Sequence, residues 1–280
     1  MDISSPALLP GVGPGATLLF MHAHPDDETI VTGATMAAYA KAGARVVLLT
    51  CTRGELGEVI PAELAHLEVG NGAGIPADGA GLAEEREREL AAALAALGVR
   101  EHIWLGRPPA AAPNAPELFR DSGMQWGPDG RAMAADTVLE GSLSRAPLPQ
   151  LAELAAHAIR AVRPDALITY AADGGYGHPD HVRTHELAMA GLALAEKDDA
   201  DTPGWRVENV FTIVSDRPER PLEEGVDRVA VQGDVAAKTE AMRTHRTQIA
   251  VDGERYALSD DVWKDISGVE EFVSVHGAGS

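Results

Sequence analysis

The sequence predicts an α/β fold, in which a Rossmann-like, mostly parallel sheet is flanked by helices and followed by a small C-terminal extension. Short apolar runs of strand length alternate along the chain with longer runs of helical spacing. This alternation is typical of a parallel sheet with right-handed crossovers. Apolar residues make up 45% of the 280 residues, which is enough for a folded core and too much for a disordered chain. Functional residues of such sheets are expected at the carboxyl ends of the strands.

The first part of the chain contains three predicted strands separated by two predicted helices. Each strand is a short apolar run, and each helix has apolar residues at helical spacing. Gly43 ends the first helix, because glycine is favoured directly after a helical segment. In chain order these elements are a strand at Thr17–His22, a helix from Glu28 to Ala42, a strand at Arg45–Cys51, a helix at Ala83–Leu97 and a strand at His102–Leu105.

An irregular stretch, residues 107–148, interrupts this alternation. It is rich in proline and has no clear periodicity, and long irregular segments inside a compact domain are often functional. No linker divides the sequence, so we expect one domain over residues 1–280, in which residues 1–15, rich in Pro and Gly, are flexible. The alternation resumes with a helix at Gln150–Val162, a strand at Ala166–Tyr170, a helix at His181–Glu196, strands at Val207–Val214 and Val226–Val231, and a helix at Val235–Thr244.

The composition excludes several classes of function. Acidic residues number 43 and basic residues 23, which gives a net charge of −20, whereas nucleic acids and anionic membranes are bound by basic surfaces. Cys51 is the only cysteine, so neither an internal disulfide nor a Cys-rich zinc finger can form. No apolar run approaches the roughly 20 residues of a membrane-spanning helix, and residues 1–10 lack the basic start of a secretory signal. We therefore expect a cytoplasmic protein with no nucleic-acid or membrane partner, and the sequence leaves its oligomeric state open.

Two histidine-rich segments carry the same pattern of residues. HAHPDDE (residues 22–28) follows the first predicted strand, YGHPDH (residues 176–181) follows a later one, and each opens a predicted helix. Residues three apart on a helical turn share a face, so His24 can approach Asp27, and the second segment offers an equivalent pair of histidines. Imidazole and carboxylate groups are good ligands for divalent transition metals, and three protein ligands leave room for a water molecule. The two segments together predict a metal site.

Two other classes of protein fit the sequence less well. A dinucleotide-binding module needs a glycine-rich turn after its first strand, whereas GVGPG, at residues 11–15, precedes that strand. A structural zinc site needs four closed ligands rather than an open site with a spare carboxylate beside it. Cys51, at the end of an apolar strand, is expected to pack rather than to act as a nucleophile. Among the remaining side chains, His185, His245 and Trp126 are candidates to line the site.

The two segments resemble the metal-binding motifs of the LmbE-like, or PIG-L, family of zinc-dependent sugar N-deacetylases. CTRGELGEVI (residues 51–60), RDSGM (120–124) and HRTQ (245–248) are similar to the branch of that family that acts in mycothiol biosynthesis, and the resemblance covers about residues 17–275. It implies that the chain removes the acetyl group from a small-molecule substrate, N-acetylglucosaminyl-inositol, and releases acetate and glucosaminyl-inositol. A mycothiol S-conjugate amidase and an N-deacetylase of another amino-sugar natural product remain alternatives, since they would share these motifs.

The resemblance also implies how the metal is held. One Zn²⁺ per subunit, or Fe²⁺ or Co²⁺ in its place, would be bound by His24, Asp27 and His181. Asp26 would be the general base that takes a proton from the attacking water. Residues 176–280 would then contain the distal metal ligand and further elements on the substrate side.

The remaining implied roles concern the reacting amide and the sugar. His178 would stabilise the oxyanion or serve as the acid, with Asp180 orienting its ring. Tyr176 would reach the amide carbonyl. Arg86 and Asp121 would bind hydroxyl groups of the sugar or the inositol. The sequence does not decide which residue gives a proton to the leaving amine.

Overall fold

The computed structural model describes residues 8–70, 78–136, 138–199, 202–214 and 228–275. Short 3₁₀ turns occupy Ala62–Leu67 and Leu143–Arg145. Numbered in chain order, the strands and helices are β1 (Thr17–His22), α1 (Asp27–Ala42), β2 (Arg45–Thr50), α2 (Ala80–Leu97), β3 (Glu101–Trp104), β4 (Met124–Trp126), β5 (Ala132–Ala134), α3 (Leu148–Val162), β6 (Ala166–Tyr170), α4 (Pro179–Ala195), β7 (Asn209–Ile213), β8 (Arg228–Gln232), α5 (Val235–Thr244), β9 (Ala250–Asp252), β10 (Arg255–Ala257), β11 (Lys264–Asp265) and β12 (Val269–Ser274).

A seven-stranded sheet forms the centre of the described part of the chain, in the strand order β3-β2-β1-β6-β7-β12-β8. Strands β1, β2, β3, β6 and β7 run parallel, whereas β12 is antiparallel to both of its neighbours. The prediction of a mostly parallel α/β sheet is therefore confirmed. At the centre of β1, Leu19 pairs with Val47 of β2 on one side and with Leu167 of β6 on the other. The carboxyl ends of β1 and β6 are consequently neighbours.

Helices cover both faces of this sheet because its inner strands are apolar on both faces. Along β1, Leu18 and Phe20 belong to an apolar cluster with residues of α1, α2 and α5, and Leu19 and Met21 belong to a second cluster with residues of α3 and α4. All four side chains are fully buried. Successive side chains of a strand point to opposite faces, so a continuous apolar run is the pattern of a strand that is covered on both sides. None of the described helices combines the length and the apolar character needed to cross a membrane.

The N-terminal segment differs in part from the expectation of flexibility. Residues 1–7 lie outside the described residues. Within residues 8–15, the side chains of Leu9 and Val12 are buried in the core, and the backbone N–H of Leu9 donates to the hydroxyl of Tyr39 at 3.0 Å. The apolar side chains of this segment thus decide its placement in spite of its Pro and Gly content.

Three features go beyond the sequence prediction. The irregular stretch holds a hairpin, β4–β5, and the C-terminal extension holds a small antiparallel sheet, β9–β11. The strand β12 inserts between β7 and β8 although its sequence, VEEFVS, contains two consecutive glutamates. Elsewhere the bounds shift by a few residues, since α2 begins at Ala80 and β7 covers Asn209–Ile213. Positions 226 and 227 of the strand predicted at Val226–Val231 lie outside the described residues.

A buried ion pair fixes β12 against two helices. Oε1 of Glu270 lies 2.8 Å from Nζ of Lys238 in α5, and both side chains are 4% exposed. The same carboxylate accepts hydrogen bonds from the backbone N–H groups of Ala34 and Thr35 in α1, at 3.0 and 2.8 Å. A buried charge is tolerated when it is paired and hydrogen-bonded. Glu270, which interrupts the apolar pattern expected of a buried strand, therefore joins β12 to α1 and α5.

We expect Lys238→Met to lower the free energy of unfolding by about 3–5 kcal/mol, because it leaves a buried carboxylate without its counter-ion. Lys41→Met is the matched control. Lys41 also pairs with an acidic residue, Asp234, at 2.9 Å, but its side chain is 78% exposed, and an exposed pair contributes less than about 1 kcal/mol. Urea denaturation followed by circular dichroism measures both variants, and equal losses would contradict the role given to the buried pair.

Candidate metal centre and active site

The two His-Pro-Asp segments meet at the carboxyl ends of β1 and β6. Residues 22–28 lead from β1 into α1, and residues 176–181 open α4 after β6. Pro179 lies at the start of α4, where its missing N–H would be unpaired in any case. His178 caps the same helix, because its Nδ1 atom accepts a hydrogen bond from the backbone N–H of Asp180 at 3.1 Å. The order of the strands thus brings the two segments together.

The carboxylate of Asp27 lies between two imidazole rings. Its Oδ2 atom is 3.2 Å from Nδ1 of His24, and its Oδ1 atom is 3.3 Å from Nε2 of His181. Ligand atoms that bind one tetrahedral ion at about 2.0–2.2 Å are separated by about 3.4 Å. These are the three residues predicted to hold the metal, and each imidazole faces a different oxygen of Asp27. Among the described residues, the groups whose ligand atoms all lie within 4.8 Å of one another are His24, His178 and His181, and His24, Asp121 and Asp180, so the predicted set stays a prediction.

The hydrogen bonding of His181 also fits a metal ligand. Its Nδ1 atom lies 3.2 Å from the carbonyl oxygen of Gly174, whereas its buried Nε2 atom has no hydrogen-bond partner among the described residues. Metal-binding imidazoles commonly bond a backbone carbonyl through their second nitrogen. Gly174 has a φ of +68°, and a Cβ atom there would lie 2.9 Å from Cβ of His181. The turn that orients His181 therefore requires glycine.

The carboxylate of Asp180 contacts His24, and only the backbone N–H of Asp180 bonds His178, so the predicted orientation of His178 by the Asp180 side chain is corrected. The Oδ2 atom of Asp180 is 3.3 Å from Nε2 of His24 and accepts a hydrogen bond from the backbone N–H of Ser122 at 2.9 Å. The hydroxyl of Ser122 donates to the other carboxylate oxygen. His178 bonds the backbone N–H of Asp180 and not its side chain. Asp180 lies in the first turn of α4, where side chains lean back toward the start of the helix, and this direction leads to His24.

Three carboxylates surround His24. Besides Asp27 and Asp180, Oδ1 of Asp121 lies 3.7 Å from Nε2 of the ring. Burial lowers the pKa of His24, but the charge of Asp121 and the hydrogen bonds with Asp180 and Asp27 outweigh that effect and hold the pKa well above its ordinary value. The site therefore attracts positive charge.

His178 stands beside the two predicted ligand histidines. Its ring centroid is 4.7 Å from that of His24 and 4.9 Å from that of His181, and one nitrogen of each ring lies within 4.8 Å of the others. Burial and the two neighbouring imidazoles keep the pKa of His178 well below its usual range. In a neutral imidazole whose Nδ1 accepts a hydrogen bond, the proton is on Nε2. The ring thus offers an N–H donor, which suits stabilisation of an oxyanion.

Asp26, the predicted base, has an uncommon backbone conformation. Its φ is +111°, a region that residues with a Cβ atom rarely adopt. Its backbone N–H donates to Oε2 of Glu28 at 2.9 Å, and its Oδ2 atom is 3.1 Å from Nη2 of Arg86. The pKa of Asp26 is raised to about 6, because burial and the charge of Asp27 raise it by more than the charge of Arg86 lowers it. A carboxylate with a pKa in that range is suited to general-base catalysis near neutral pH.

Arg86 and Asp121, the predicted sugar ligands, border a cavity of about 300 Å³ but are also bonded to the protein. The guanidinium of Arg86 contacts Asp26 and donates to the carbonyl oxygens of Gly54, at 2.7 Å, and Pro25. The carboxylate of Asp121 accepts two backbone N–H groups, at 2.8 and 3.3 Å. Their role as hydroxyl ligands stays a prediction, and Arg86 has the additional role of holding the base.

Two cavities meet at this group of residues. The larger has a volume of about 300 Å³, and its walls combine a majority of polar and charged side chains with several apolar ones. The smaller has a volume of about 50 Å³ and is lined by Asp27 and His181 together with mostly apolar side chains. Tyr176 borders both cavities, and its ring centroid is 5.1 Å from that of His181. Trp126, predicted as a pocket wall, borders the larger cavity and is 49% exposed.

The C-terminal extension supplies a further wall of the larger cavity. The expectation that elements after residue 176 lie on the substrate side stays a prediction. Of the described residues that form this wall, one belongs to the HRTQ segment, and the other three lie in a loop that no motif identified. In that order, they are Gln248, Leu258, Ser259 and Asp260.

Glu28 and His245 form a buried pair behind the base, and sequence reasoning did not connect them. Nε2 of His245 lies 2.8 Å from Oε1 of Glu28, and both side chains are fully buried. Burial lowers the pKa of His245, but the carboxylate of Glu28 raises it above its ordinary value. Since Glu28 also accepts the backbone N–H of Asp26, the pair supports the base and does not line the cavity. Both residues lie in segments that the sequence analysis had singled out, Glu28 at the end of HPDDE and His245 at the start of HRTQ.

Neither His185, a candidate to line the site, nor Cys51 is among the described residues that line the two cavities. The Nδ1 atom of His185 is 2.8 Å from the carbonyl oxygen of Tyr170. Cys51 is buried, and burial raises its pKa to about 12. A thiol with so high a pKa stays protonated and is a poor nucleophile, in agreement with the expectation that this residue packs.

The chain belongs to the PIG-L family, because the family model described as PIG-L: GlcNAc-PI de-N-acetylase matches residues 19–192. A protein from Kineococcus radiotolerans, named 1D-myo-inositol 2-acetamido-2-deoxy-alpha-D-glucopyranoside deacetylase, is 43% identical over 93% of this chain and 77% of its own length. A protein of the same name from Nocardiopsis dassonvillei is 40% identical over 92% of this chain and 94% of its own length. The solved structure of N,N'-diacetylchitobiose deacetylase from Pyrococcus horikoshii has the same fold, with a TM-score of 0.56 at 19% identity over 83% of this chain and 70% of that chain. The resemblance inferred from the motifs is confirmed at the level of the family.

We expect His181→Ala to lose most of its bound metal, because it removes one of three ligands, whereas the parent protein should carry about one ion per subunit. His185→Ala is the matched control, since His185 lies one turn further along α4 and bonds a backbone carbonyl. Plasma mass spectrometry after dialysis measures the metal content. The same content in both variants would exclude His181 from the ligand set.

Proposed function

We propose that this chain is a metal-dependent N-deacetylase that hydrolyses 1D-myo-inositol 2-acetamido-2-deoxy-alpha-D-glucopyranoside in mycothiol biosynthesis, with release of acetate and glucosaminyl-inositol. The observation that carries the proposal is the carboxylate of Asp26, whose side chain is 14% exposed, beside the three predicted metal ligands at the wall of the larger cavity. The names of the relatives, which match over more than nine-tenths of this chain, support the choice of substrate. They also favour the deacetylase over the S-conjugate amidase.

The ligand set consists of His24, Asp27 and His181. Two imidazoles and a carboxylate suit Zn²⁺, and Fe²⁺ or Co²⁺ accept the same groups. When bound, such an ion lowers the pKa of water and polarises an amide carbonyl. The Nε2 atom of His181, which makes no hydrogen bond among the described residues and faces Oδ1 of Asp27, supports this assignment. Asp180 supports the same assignment. Its carboxylate contacts Nε2 of His24, so the other ring nitrogen, Nδ1, is the one that faces Asp27.

Asp26 takes a proton from the attacking water, and Arg86 keeps its carboxylate in place. The water oxygen adds to the carbonyl carbon of the acetamido group. The carbon–nitrogen bond then breaks and the nitrogen gains a proton, so that one amide and one water give acetate and an amine. Asp26, once protonated, is a source for that proton, and the neutral His178 is less suited to supply it.

His178 and Tyr176 stabilise the oxygen on which negative charge develops. The Nε2–H group of His178 is a donor within the ring of predicted ligands. Tyr176 borders both cavities, and its hydroxyl is the second donor assigned to an amide that spans them. A donor aimed at such an oxyanion typically lowers the activation free energy by about 2.7–4 kcal/mol.

The larger cavity suits a neutral, polyhydroxylated sugar. Hydroxyl groups are recognised through hydrogen bonds, and a site built for them discriminates strongly against a ligand that lacks them. The walls offer carboxylate, amide and guanidinium groups for this purpose, and the C-terminal extension supplies part of them. These groups are Glu58, Arg86, Asp121, Gln248 and Asp260.

We expect Asp26→Asn to retain the metal and to lower kcat by about 10²–10⁴-fold, the usual contribution of a general base. Asp252→Asn, at the exposed last residue of β9, is the matched control and should keep the parent rate. Steady-state release of acetate, together with metal analysis of both variants, measures the effect. If the Asp26→Asn protein were fully active, Asp26 would not be the general base, and its role would be limited to the start of the helix.

We also expect free N-acetylglucosamine to be hydrolysed with a kcat/KM at least about 10-fold lower than the inositol glycoside, because hydroxyl-binding groups would be left unpaired. Acetate release from the two sugars under the same conditions makes the comparison. Equal efficiency would remove the inositol-specific assignment and leave an N-deacetylase of broader range.

A further inference from the structure

The smaller cavity differs from the sugar cavity in both size and chemistry. Besides the predicted ligands Asp27 and His181, none of the described residues that line it is charged. Its walls are formed mainly by aliphatic and aromatic side chains and by the backbone of the turn after β6. The side chains are Ile30, Val31, Tyr170, Tyr176, Ile213 and Leu258.

The polar atom of Tyr170 does not make this cavity polar. The hydroxyl of Tyr170 accepts a hydrogen bond from the backbone N–H of Ala23 at 3.0 Å and lies 3.2 Å from Nδ1 of His22. The ring of Tyr170 stacks on His181 with a centroid distance of 4.2 Å. The hydroxyl is thus occupied elsewhere, and the ring contributes an apolar surface directly beside a predicted metal ligand.

The volumes of the two cavities match the two parts of an acetylated amino sugar. An apolar cavity of about 150 Å³ holds a benzene ring of six carbons. On that scale the smaller cavity, at about 50 Å³, holds about two carbon atoms. The larger cavity, at about 300 Å³, holds about twelve heavy atoms, which is the size of one of the two rings of the proposed substrate, the amino sugar that carries the acetyl group.

The wall between the cavities locates the reacting bond. Asp27, Ile30, Tyr176 and Leu258 border both cavities, so the cavities share a boundary beside a predicted metal ligand. An amide carbon carries an alkyl group on one side and a nitrogen on the other. When the sugar on the nitrogen occupies the larger cavity, the alkyl group points toward the smaller one.

We propose that the smaller cavity, termed here the acyl cavity, receives the methyl of the acetyl group and restricts hydrolysis to short acyl chains, with Val31 as the residue that sets the limit. This rests on the proposed function. Val31 is half-buried in α1 and also borders a separate cavity of about 300 Å³. Shortening its side chain therefore both enlarges the acyl cavity and opens it toward that space. Ile213 also lines the acyl cavity, but it belongs to the core, so its substitution would disturb the fold as well.

The test compares N-acetyl, N-propionyl and N-butyryl forms of glucosaminyl-inositol. We expect the parent protein to lose about ten-fold or more in kcat/KM for each added methylene, the usual range for an apolar pocket. Val31→Ala should raise the butyryl-to-acetyl ratio by at least about ten-fold. Val31→Leu, which fills the cavity, should lower efficiency on the acetyl substrate while the metal content is retained. Val235→Ala, a valine at the exposed start of α5, is the matched control and should leave the ratio unchanged.

A second measurement does not depend on turnover. Acetate and butyrate, at millimolar concentrations, should differ in how far they raise the melting temperature of the metal-loaded protein, with acetate more effective for the parent and butyrate more effective for Val31→Ala. Efficient butyryl hydrolysis by the parent, or the same ratio and the same carboxylate order in Val31→Ala, would overturn the acyl cavity while leaving the deacetylase intact. If no acyl substrate were hydrolysed at all, the proposed function would fail, and the carboxylate order would still decide whether the cavity takes short acyl groups.

Discussion

The contact on which the site depends is the carboxylate of Asp27, because it joins two segments that are far apart in the sequence. One oxygen faces His24, which follows β1, and the other faces His181, at the start of α4. The two segments meet because β1 and β6 are parallel neighbours in the sheet. The sheet order follows in turn from strands that are apolar on both faces and covered by helices on both sides. An apolar scaffold thus fixes a polar centre at the sheet's edge, and a different strand order would separate the ligands.

The base is positioned by several contacts rather than by one partner. Glu28 accepts the backbone N–H of Asp26, His245 pairs with Glu28, and Arg86 contacts the carboxylate of Asp26. A residue with a Cβ atom at such a φ costs on the order of 1–3 kcal/mol and persists where its surroundings over-determine it. Here one set of contacts acts on the backbone and the other on the side chain. Arg86 therefore belongs with the positioning of the base as much as with the recognition of sugar hydroxyls.

Local signals in the sequence were sufficient for much of the scaffold and for the candidate ligand group. The bounds of β1, β6 and α5 agree with the prediction residue for residue, since each is a clear apolar run or a helix with clear ends. Contacts between distant elements could not be predicted in this way. The preference of Asp180 for His24 depends on side-chain direction in the first turn of α4, and Glu270 obscures β12 because its partner Lys238 lies on another element. Leu258 lines both cavities from a loop that has no periodic pattern.

The charge distribution explains why this centre suits a divalent cation. Four carboxylates converge here, and Arg86 pairs with one of them. Burial of like charges is costly unless positive charge accompanies them, and the raised pKa of His24 shows how strongly the carboxylates attract it. A divalent cation held among them would supply that charge where their field is strongest. Asp26, paired with a guanidinium rather than with an imidazole, is then the carboxylate left to take a proton. The four carboxylates are those of Asp26, Asp27, Asp121 and Asp180.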